Sequence, residues 1–215
     1  MTRLAVFDCD GTLVDGQAHV CDTMEQAFAA AGLDVPDRNE IRRSVGLSLP
    51  VAIRNLAPEI DEELNAHLVQ AYKNGFFARR QKGAIHEPLY DGMRELLMAL
   101  KDAGWLLAVA TGKSDRGLSA CLDQHGITDL FVSLQTADRH PSKPHTQMLE
   151  QVLFEAEATP DQAVMIGDTS FDMIMARDAG VRAMGVAWGY HEPEELVRTG
   201  AESVANDPQH LEQLL

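Results

Sequence analysis

The chain has 215 residues, of which 45% are hydrophobic, and it carries a formal net charge of −15 at pH 7. The hydrophobic content excludes an intrinsically disordered chain, and the length suffices for one large domain or for a core with a smaller insert. The strong negative charge argues against nucleic acid and anionic membrane surfaces as partners, and an anionic substrate would need local positive charge or a metal ion.

The first predicted element is a short buried strand at residues 4–7, an apolar run of the kind found in parallel sheets. It ends in two carboxylates, Asp8 and Asp10, and Gly11 behind them lets the chain turn. Ligands of open α/β sheets lie beyond the carboxyl ends of the strands, and residues two apart on an extended backbone point to the same side. The aspartates are therefore candidates for a site, although on this stretch alone turn formation or helix capping explains them equally well.

Residues 16 to about 83 show helical patterns and contain no strand-like apolar run. Helix formers with apolar residues at spacings of three and four predict a first helix, which Gly32 ends. Four helices are predicted in this part of the chain. The first spans residues 22–31, the second begins at Pro36-Asp37, the third spans residues 49–56 and the fourth runs from residue 61 to about 80. Residues 45–48 are predicted to form a loop before the third helix.

From about residue 85 the chain alternates between helical and strand-like patterns. The predicted helices are 91–102, 115–125, 144–157 and 171–179, and the predicted strands are 105–110, 131–135, 163–166 and 182–186. Such alternation indicates a parallel sheet with right-handed crossovers. We therefore predict an α/β protein whose Rossmann-like parallel sheet core, residues 1–15 and 84–215, is interrupted by a small all-helical cap domain at residues 16–83.

Polar residues follow two further predicted strands. Thr111 and Gly112 come after the strand at 105–110 and offer a hydroxyl group, backbone amides and a helix N-terminus to an anion. Asp168 comes after a glycine at the end of the strand at 163–166. Each signal has an ordinary alternative, because a polar residue before a helix is commonly an N-cap.

Convergence of these strand ends would place Asp8, Asp10 and Asp168 around one point. Three carboxylates so close repel one another unless a cation lies between them. Mg²⁺ binds few protein carboxylates, keeps water ligands and pairs with phosphate, so it fits both the acids and an anionic substrate. Lys143, in the loop before a predicted helix, would add local positive charge.

Four segments of the chain resemble, in this order, the sequence motifs of the haloacid dehalogenase-like (HAD) hydrolase superfamily. They are residues 7–15, 111–113, 143–144 and 167–172. The helical insert resembles the C1-type cap of that superfamily, and the whole chain is most similar to its phosphoglycolate phosphatase-like members. The resemblance implies a Mg²⁺-dependent phosphatase that hydrolyses small phosphomonoester metabolites through an aspartyl-phosphate intermediate.

The resemblance also implies roles for the three acids. Asp8 would attack phosphorus and form the aspartyl-phosphate. Asp10 would protonate the leaving oxygen and then deprotonate the water that clears the intermediate. Asp8, Asp168 and the main-chain carbonyl of Asp10 would hold the Mg²⁺ cofactor.

The remaining motif residues are implied to serve the phosphoryl group. Thr111 and the amide of Gly112 would bind its oxygens, and Lys143 would offset charge on the nucleophile and on the transferring group. Asp172 would serve the phosphoryl group indirectly, through a contact with Lys143 or with a water bound to the metal.

The same residues disfavour three other activities. A dehalogenase is disfavoured because those members lack a second aspartate where Asp10 stands. A sugar phosphate mutase of the family carries a lysine and an arginine around its cap glycine, where this chain has Val45 and Leu49 around Gly46. A non-catalytic phospho-aspartate module of the receiver type needs neither a general acid nor a cap.

Some residues receive weaker expectations. Lys113 is expected to be solvated at a helix start, and Cys9 to point into the core. Arg42, Arg43 and Arg54 of the predicted cap could meet a substrate carboxylate or a second phosphate, although a solvated helix face is the more common outcome.

The cysteines are scattered without CxxC spacing, and no apolar run reaches membrane length, so we predict a cytoplasmic protein. The expected partner is a small phosphorylated metabolite, with no nucleic acid and no membrane, and the expected assembly is a monomer or a homodimer. The choice of substrate would depend on the shape and closure of the cap.

Overall fold

The computed structural model describes residues 2–215, and Met1, the first residue of the predicted core, lies outside this range. The strands in it are β1 Leu4–Phe7, β2 Leu106–Thr111, β3 Phe131–Thr136, β4 Ala163–Gly167, β5 Arg182–Val186 and β6 Ser203–Ala205. The α-helices are α1 Gln17–Ala30, α2 Arg38–Ser44, α3 Leu49–Leu56, α4 Glu62–Gln81, α5 Met93–Asp102, α6 Asp115–His125, α7 Gln147–Glu155, α8 Ser170–Asp178, α9 Pro193–Thr199 and α10 Pro208–Leu214. Within the described residues, none of the helices combines the length and the hydropathy that a bilayer-spanning segment requires.

The strands form one parallel sheet in the order β3-β2-β1-β4-β5-β6. This is the doubly wound order of Rossmann-type folds, so the predicted α/β class is confirmed. The order reverses between β1 and β4, and sheets of this kind bind their ligands in the crevice beyond the strand ends at that point.

A layer of helices covers each face of the sheet, because the side chains of a strand alternate between its two faces. In β1, Ala5 and Phe7 pack into the layer of α5, α6 and α10, and Leu4 and Val6 pack into the layer of α7, α8 and α9. All four side chains are fully buried. The strand that precedes Asp8 is therefore held from both sides.

Helices α1 to α4 lie between β1 and β2 in the chain and pack around a third apolar cluster. Phe28 of α1, Ile41 of α2, Ile53 of α3 and Leu68 of α4 are all buried in it. These helices thus share a hydrophobic core of their own. The division of the chain into a core and a cap domain at residues 16–83 stays a prediction.

The chain beyond residue 186 differs from the prediction, in which the strand at 182–186 was the last element. Helix α9 follows that strand, β6 then pairs with β5, and α10 follows β6. Strand β6 has three residues, too few to show a periodic pattern. Helix α7 begins at Gln147 rather than at residue 144, because the preceding segment forms a turn in which the His145 amide donates to the Ser142 carbonyl.

Candidate active site

The carboxyl ends of β1 and its two neighbours bring predicted site residues to one edge of the sheet. Phe7 is in register with Val109 of β2 and with Ile166 of β4. The Asp8 amide, one residue later, donates to the Ile166 carbonyl at 2.9 Å. Asp8 and Asp168 are both fully buried, and the structure brings them together at the point where the strand order reverses.

Lys143 is the centre of a buried group of charges with Asp8 and Asp172, which we call the inner cluster. Its Nζ lies 2.9 Å from Asp8 Oδ1 and 2.7 Å from Asp172 Oδ1, and all three side chains are buried. Burial alone would lower the pKa of Lys143, but the Asp172 and Asp8 carboxylates raise it above its usual range. The lysine therefore keeps its positive charge at neutral pH.

Asp172 is held by the start of α8 as well as by Lys143. Its Oδ2 accepts hydrogen bonds from the Thr169 amide at 3.1 Å and from Thr169 Oγ1 at 2.7 Å, a capping arrangement at the N-terminus of the helix. Its Oδ1 accepts from Lys143. Because Oδ2 already accepts two hydrogen bonds and Oδ1 is bonded to the Lys143 ammonium, Asp172 is suited to orienting Lys143.

The acids at this edge fit a divalent cation. One oxygen each from Asp8, Asp168 and Asp172 lie within 4.8 Å of one another. Both Asp8 oxygens are buried and, among the described residues, lack a hydrogen bond of ordinary geometry. Burial raises the pKa of Asp8 to about 7 despite Lys143, and burial beside Asp8 raises the pKa of Asp168. A bound Mg²⁺ would give these buried carboxylates a positively charged partner and would stabilise their ionised form.

Asp168 is oriented by two residues to which the sequence assigned no role. Thr12 Oγ1 donates to Asp168 Oδ1 at 2.8 Å, and the Tyr190 amide donates to Oδ2 at 2.9 Å. Each oxygen keeps a further lone pair, so Asp168 can still bind a cation while its orientation is fixed. A Cβ at Gly11, where φ is +83°, would collide with the Asp168 carboxylate, so this approach requires glycine.

Lys113 contradicts its prediction as a solvated residue. Its side chain is 8% exposed, and its Nζ lies 2.9 Å from Asp10 Oδ1 and 2.6 Å from Glu87 Oε1. Glu87 is fully buried, and its Oε2 accepts from Arg80, the penultimate residue of α4, at 2.5 Å. We call Lys113, Asp10, Glu87 and Arg80 the outer cluster. The prediction was wrong because a helix-start pattern gives no sign of an acid that arrives from a distant loop.

The charges of the outer cluster balance one another. Burial raises the pKa of Asp10, against the attraction of Lys113. Burial alone would raise the pKa of Glu87, but Lys113 and Arg80 lower it. Burial alone would lower the pKa of Lys113, but Asp10 and Glu87 raise it well above its usual range. An acid with a raised pKa beside a fixed cation is suited to proton transfer.

Thr111 and Gly112 lie where β2 ends next to β1. Thr111 is buried, and its Oγ1 accepts a hydrogen bond from the Lys113 amide at 3.2 Å. A Cβ on Gly112 would lie 2.6 Å from the carbonyl oxygens of Gly46 and Leu47, in the loop between α2 and α3. A larger residue at this position would push that loop away from the site.

A cavity of about 580 Å³ lies between helices α1–α4 and this edge of the sheet. Asp10 and Gly112 line it from the sheet side, and Tyr72, Phe76 and Phe77 line it from α4. Among the described residues, no member of the inner cluster lines it. The two clusters thus differ in their access to this space.

The three arginines singled out from the sequence make other contacts. Arg43 pairs with Glu195 of α9 at 2.9 Å, and Arg54 pairs with Glu62 at 2.6 Å. Arg42 donates to a neighbouring side chain of α2 at 3.2 Å. In the part of the chain that the structure describes, none of the three lines the cavity.

Comparison with known proteins gives matches along nearly the whole chain. The family model described as "Haloacid dehalogenase-like hydrolase" matches residues 5–186. A "Phosphoglycolate phosphatase" of Vibrio vulnificus (strain YJ016) is 30% identical, and the alignment covers 95% of this chain and 92% of that protein. "Probable phosphatase IndB" of Dickeya dadantii (strain 3937) is 34% identical, with 95% and 93% covered. The crystal structure of "a predicted phosphatase" from Clostridium acetobutylicum superposes with a TM-score of 0.89 at 25% identity, and covers 100% of this chain and 98% of that one.

Proposed function

The chain belongs to the haloacid dehalogenase-like hydrolase family, and we propose that it hydrolyses small phosphomonoester metabolites, with Mg²⁺ as cofactor, through an aspartyl-phosphate on Asp8. Its general activity is that of a phosphatase, a phosphoric monoester hydrolase. One observation carries the assignment of Asp8 as nucleophile. Both of its carboxylate oxygens are buried next to the positive charge of Lys143, and among the described residues neither has a hydrogen bond of ordinary geometry. Such a carboxylate is available as a nucleophile and as a metal ligand.

In this proposal, Asp8, Asp168 and the main-chain carbonyl of Asp10 hold Mg²⁺. The bound cation supplies positive charge to the phosphoryl oxygens. The hydrogen bonds that Asp168 accepts from Thr12 and Tyr190 support this assignment, because they orient a metal ligand without using up its oxygens.

The first step transfers the phosphoryl group to Asp8. An Asp8 oxygen attacks phosphorus, and the bond from phosphorus to the leaving oxygen breaks. Asp10 donates its proton to that oxygen, so that the product leaves as an alcohol. Burial of Asp10 supports this role, because it raises the pKa and favours the protonated form.

The second step clears the intermediate. A water molecule attacks phosphorus, and Asp10, which is now a carboxylate, takes a proton from it. The bond from phosphorus to the Asp8 oxygen breaks, which releases inorganic phosphate. Asp8 is again a carboxylate and Asp10 again an acid, so the chain returns to its starting state.

Four residues serve the phosphoryl group in both steps. Thr111 and the Gly112 amide bind its oxygens, and Lys143 offsets negative charge on Asp8 and on the transferring group. Asp172 holds Lys143 in place, which the 2.7 Å distance between them supports. These contributions are electrostatic, as hydrolysis of a phosphomonoester requires.

Lys113 and Glu87 extend the proposed machinery beyond the motif residues. The Lys113 ammonium holds the Asp10 carboxyl at 2.9 Å, and Glu87 holds Lys113 at 2.6 Å. We assign both as positioning residues for Asp10. Neither is proposed to touch the phosphoryl group.

Turnover of p-nitrophenyl phosphate tests the proposal. We expect many turnovers per chain with Mg²⁺, loss of activity in EDTA, and recovery when Mg²⁺ is restored. Release of no more than one p-nitrophenol per chain would indicate a receiver-type module instead. Full activity in EDTA would contradict the assignment of Mg²⁺ as cofactor. Once turnover is established, assays with a panel of phosphorylated metabolites rank the substrates.

We also propose that the protein is cytoplasmic and acts as a monomer or homodimer on small phosphorylated metabolites, without nucleic acid or a membrane. The free thiols of Cys9, Cys21 and Cys121 support a reducing compartment. Light scattering coupled to size-exclusion chromatography measures the assembly.

A further inference from the structure

The cavity beside the outer cluster is larger than a two-carbon leaving group requires. Its volume is about 580 Å³. A glycolate leaving group has five heavy atoms and fills roughly 150 Å³, at about 30 Å³ for each. Cavities of this size hold ligands as large as typical drug molecules. Because Asp10 lines the cavity, the alcohol that it protonates would extend into this space.

One wall of the cavity is aromatic. Tyr72 and Phe76 stack with ring centroids 5.8 Å apart at an interplanar angle of 21°. Phe77 follows them on α4, and the Arg116 guanidinium lies 3.5 Å over its ring. Further apolar side chains line the same space: Val20, Met24, Ile41, Leu47 and Leu49. Tyr72 and Asp10 line the same cavity, so this wall borders the space next to the proposed proton donor.

The cations that line the cavity are already engaged. Arg80 and Lys113 belong to the outer cluster, and Lys73 lies 3.6 Å from Asp138. Arg116 stacks on an aromatic ring of the wall. A carboxylate on the leaving group would compete with these partners for each cation, whereas an uncharged ring would disturb none of them.

We propose that the substrate is a phosphomonoester whose leaving alcohol carries an uncharged aromatic or heteroaromatic ring, and that this ring stacks in the wall formed by Tyr72, Phe76 and Phe77. The inference rests on the phosphatase function proposed above. Aromatic pairs in offset-stacked or edge-to-face contact gain more than the burial of their area accounts for, and a saturated ring of similar size lacks this gain. The wall therefore selects for a flat leaving group as well as for an apolar one.

Kinetics with four synthetic substrates test this inference: benzyl, cyclohexylmethyl and ethyl phosphate, and phosphoglycolate. All four release a primary alcohol, so the same type of bond breaks. We expect kcat/KM for benzyl phosphate to exceed that for ethyl phosphate and phosphoglycolate by at least about tenfold, and that for cyclohexylmethyl phosphate by about three- to fivefold. A higher value for phosphoglycolate, or equal values for the two ring compounds, would overturn the inference and leave the phosphatase proposal standing. Hydrolysis of none of them, nor of p-nitrophenyl phosphate, would contradict the phosphatase proposal and this inference together.

A variant of the wall separates stacking from apolar burial. Phe77→Leu keeps an apolar side chain without the ring, and should lower the ratio of kcat/KM for benzyl over ethyl phosphate by about fivefold. Phe154→Leu makes the same change on α7, where the side chain is exposed, and should leave this ratio unchanged. An unchanged ratio in Phe77→Leu would contradict the stacking assignment, and Phe76→Leu tests the same wall if the first variant does not fold.

Discussion

The inner and outer clusters are built alike but differ in their surroundings. Each places one buried lysine, Lys143 or Lys113, within 2.9 Å of two carboxylates. The inner cluster comes entirely from segments that follow the sheet strands, and its lysine is sealed from solvent. The outer cluster lines the cavity and includes Arg80 at the end of α4. One arrangement is isolated, and the other is connected to the leaving-group space and to helix α4.

This difference separates two requirements of the proposed reaction. The inner cluster carries the nucleophile and charge for the phosphoryl group, which every substrate needs. The outer cluster carries the proton donor, which matters most when the leaving oxygen is basic. Changes in the inner cluster should therefore affect all substrates alike, and changes in the outer cluster should discriminate among leaving groups.

The largest effect is expected from Asp8→Asn in the inner cluster. The amide keeps the shape of the side chain but cannot form the acyl phosphate, so kcat should fall by at least about 10⁴-fold with saturating Mg²⁺. Steady-state assays measure the loss, and circular dichroism checks that the fold is kept. Activity within tenfold of the wild type would show that another residue is the nucleophile.

Lys143→Met should have the next largest effect. The inner cluster loses its cation, so kcat should fall by about 10²–10³-fold, and equally for p-nitrophenyl phosphate and for an alkyl phosphate. Two buried carboxylates lose their partner, so thermal unfolding should also shift to lower temperature. A loss confined to the alkyl phosphate would place Lys143 with the proton donor instead.

Lys113→Met should show the opposite selectivity. Without its partner Asp10 is poorly positioned, and kcat/KM for an alkyl phosphate should fall by about 10²-fold. The loss for p-nitrophenyl phosphate should be less than about tenfold, because p-nitrophenolate leaves without protonation. Glu87→Gln should act in the same direction and add little when combined with Lys113→Met. Equal losses for both substrates would show that the outer cluster has only a structural role.

The smallest effect concerns stability and pH. Burial raises the pKa of Asp8 from its ordinary 3.8 to about 7. The folded chain thus holds this proton more tightly, and the resulting stabilisation, complete below about pH 4, is lost as the pH rises through about 7. In EDTA at pH 8, Asp8→Asn should therefore be more stable than the wild type by on the order of 4 kcal/mol, a difference that vanishes near pH 4.

Calorimetry measures this difference, and Mg²⁺ provides its control. Added Mg²⁺ at pH 8 should raise the Tm of the wild type far more than that of Asp8→Asn, because the variant lacks one ligand charge. Equal Tm values for both proteins in EDTA at pH 8 would mean that position 8 carries no uncompensated charge.

The inner cluster could largely be predicted from the sequence, whereas only Asp10 of the outer cluster could. Asp8 directly follows one apolar run and Asp172 lies at the start of the helix that follows another, and the geometry of parallel sheets brings such positions to one edge. The prediction for Lys113 is wrong because its partner Glu87 lies in a segment without periodic pattern before α5, and their contact exists only in the tertiary structure. A local sequence pattern indicates the place of a residue in its own helix, but it does not indicate which residues distant in sequence will contact its side chain.

The same limit applies to the fold. The strands that surround the site are apolar runs of four to six residues, and their alternation with helices predicted the parallel sheet. Strand β6 has three residues and was missed, since its place depends on pairing with β5. Tyr190 follows β5 and receives no role from the sequence, yet its amide orients Asp168. A backbone contact of this kind has no signature in side-chain types.

The central claim is that the phosphoryl group passes through Asp8, and chemical trapping of the intermediate tests it most directly. The enzyme is mixed with substrate and Mg²⁺, quenched in acid within one turnover, and reduced with borohydride, which converts an aspartyl-phosphate to homoserine. Peptide mass spectrometry then locates the change. We predict homoserine at position 8 in the wild type and at no position in Asp8→Asn. Homoserine at position 10 or 168, or none at any position during rapid turnover, would contradict the account.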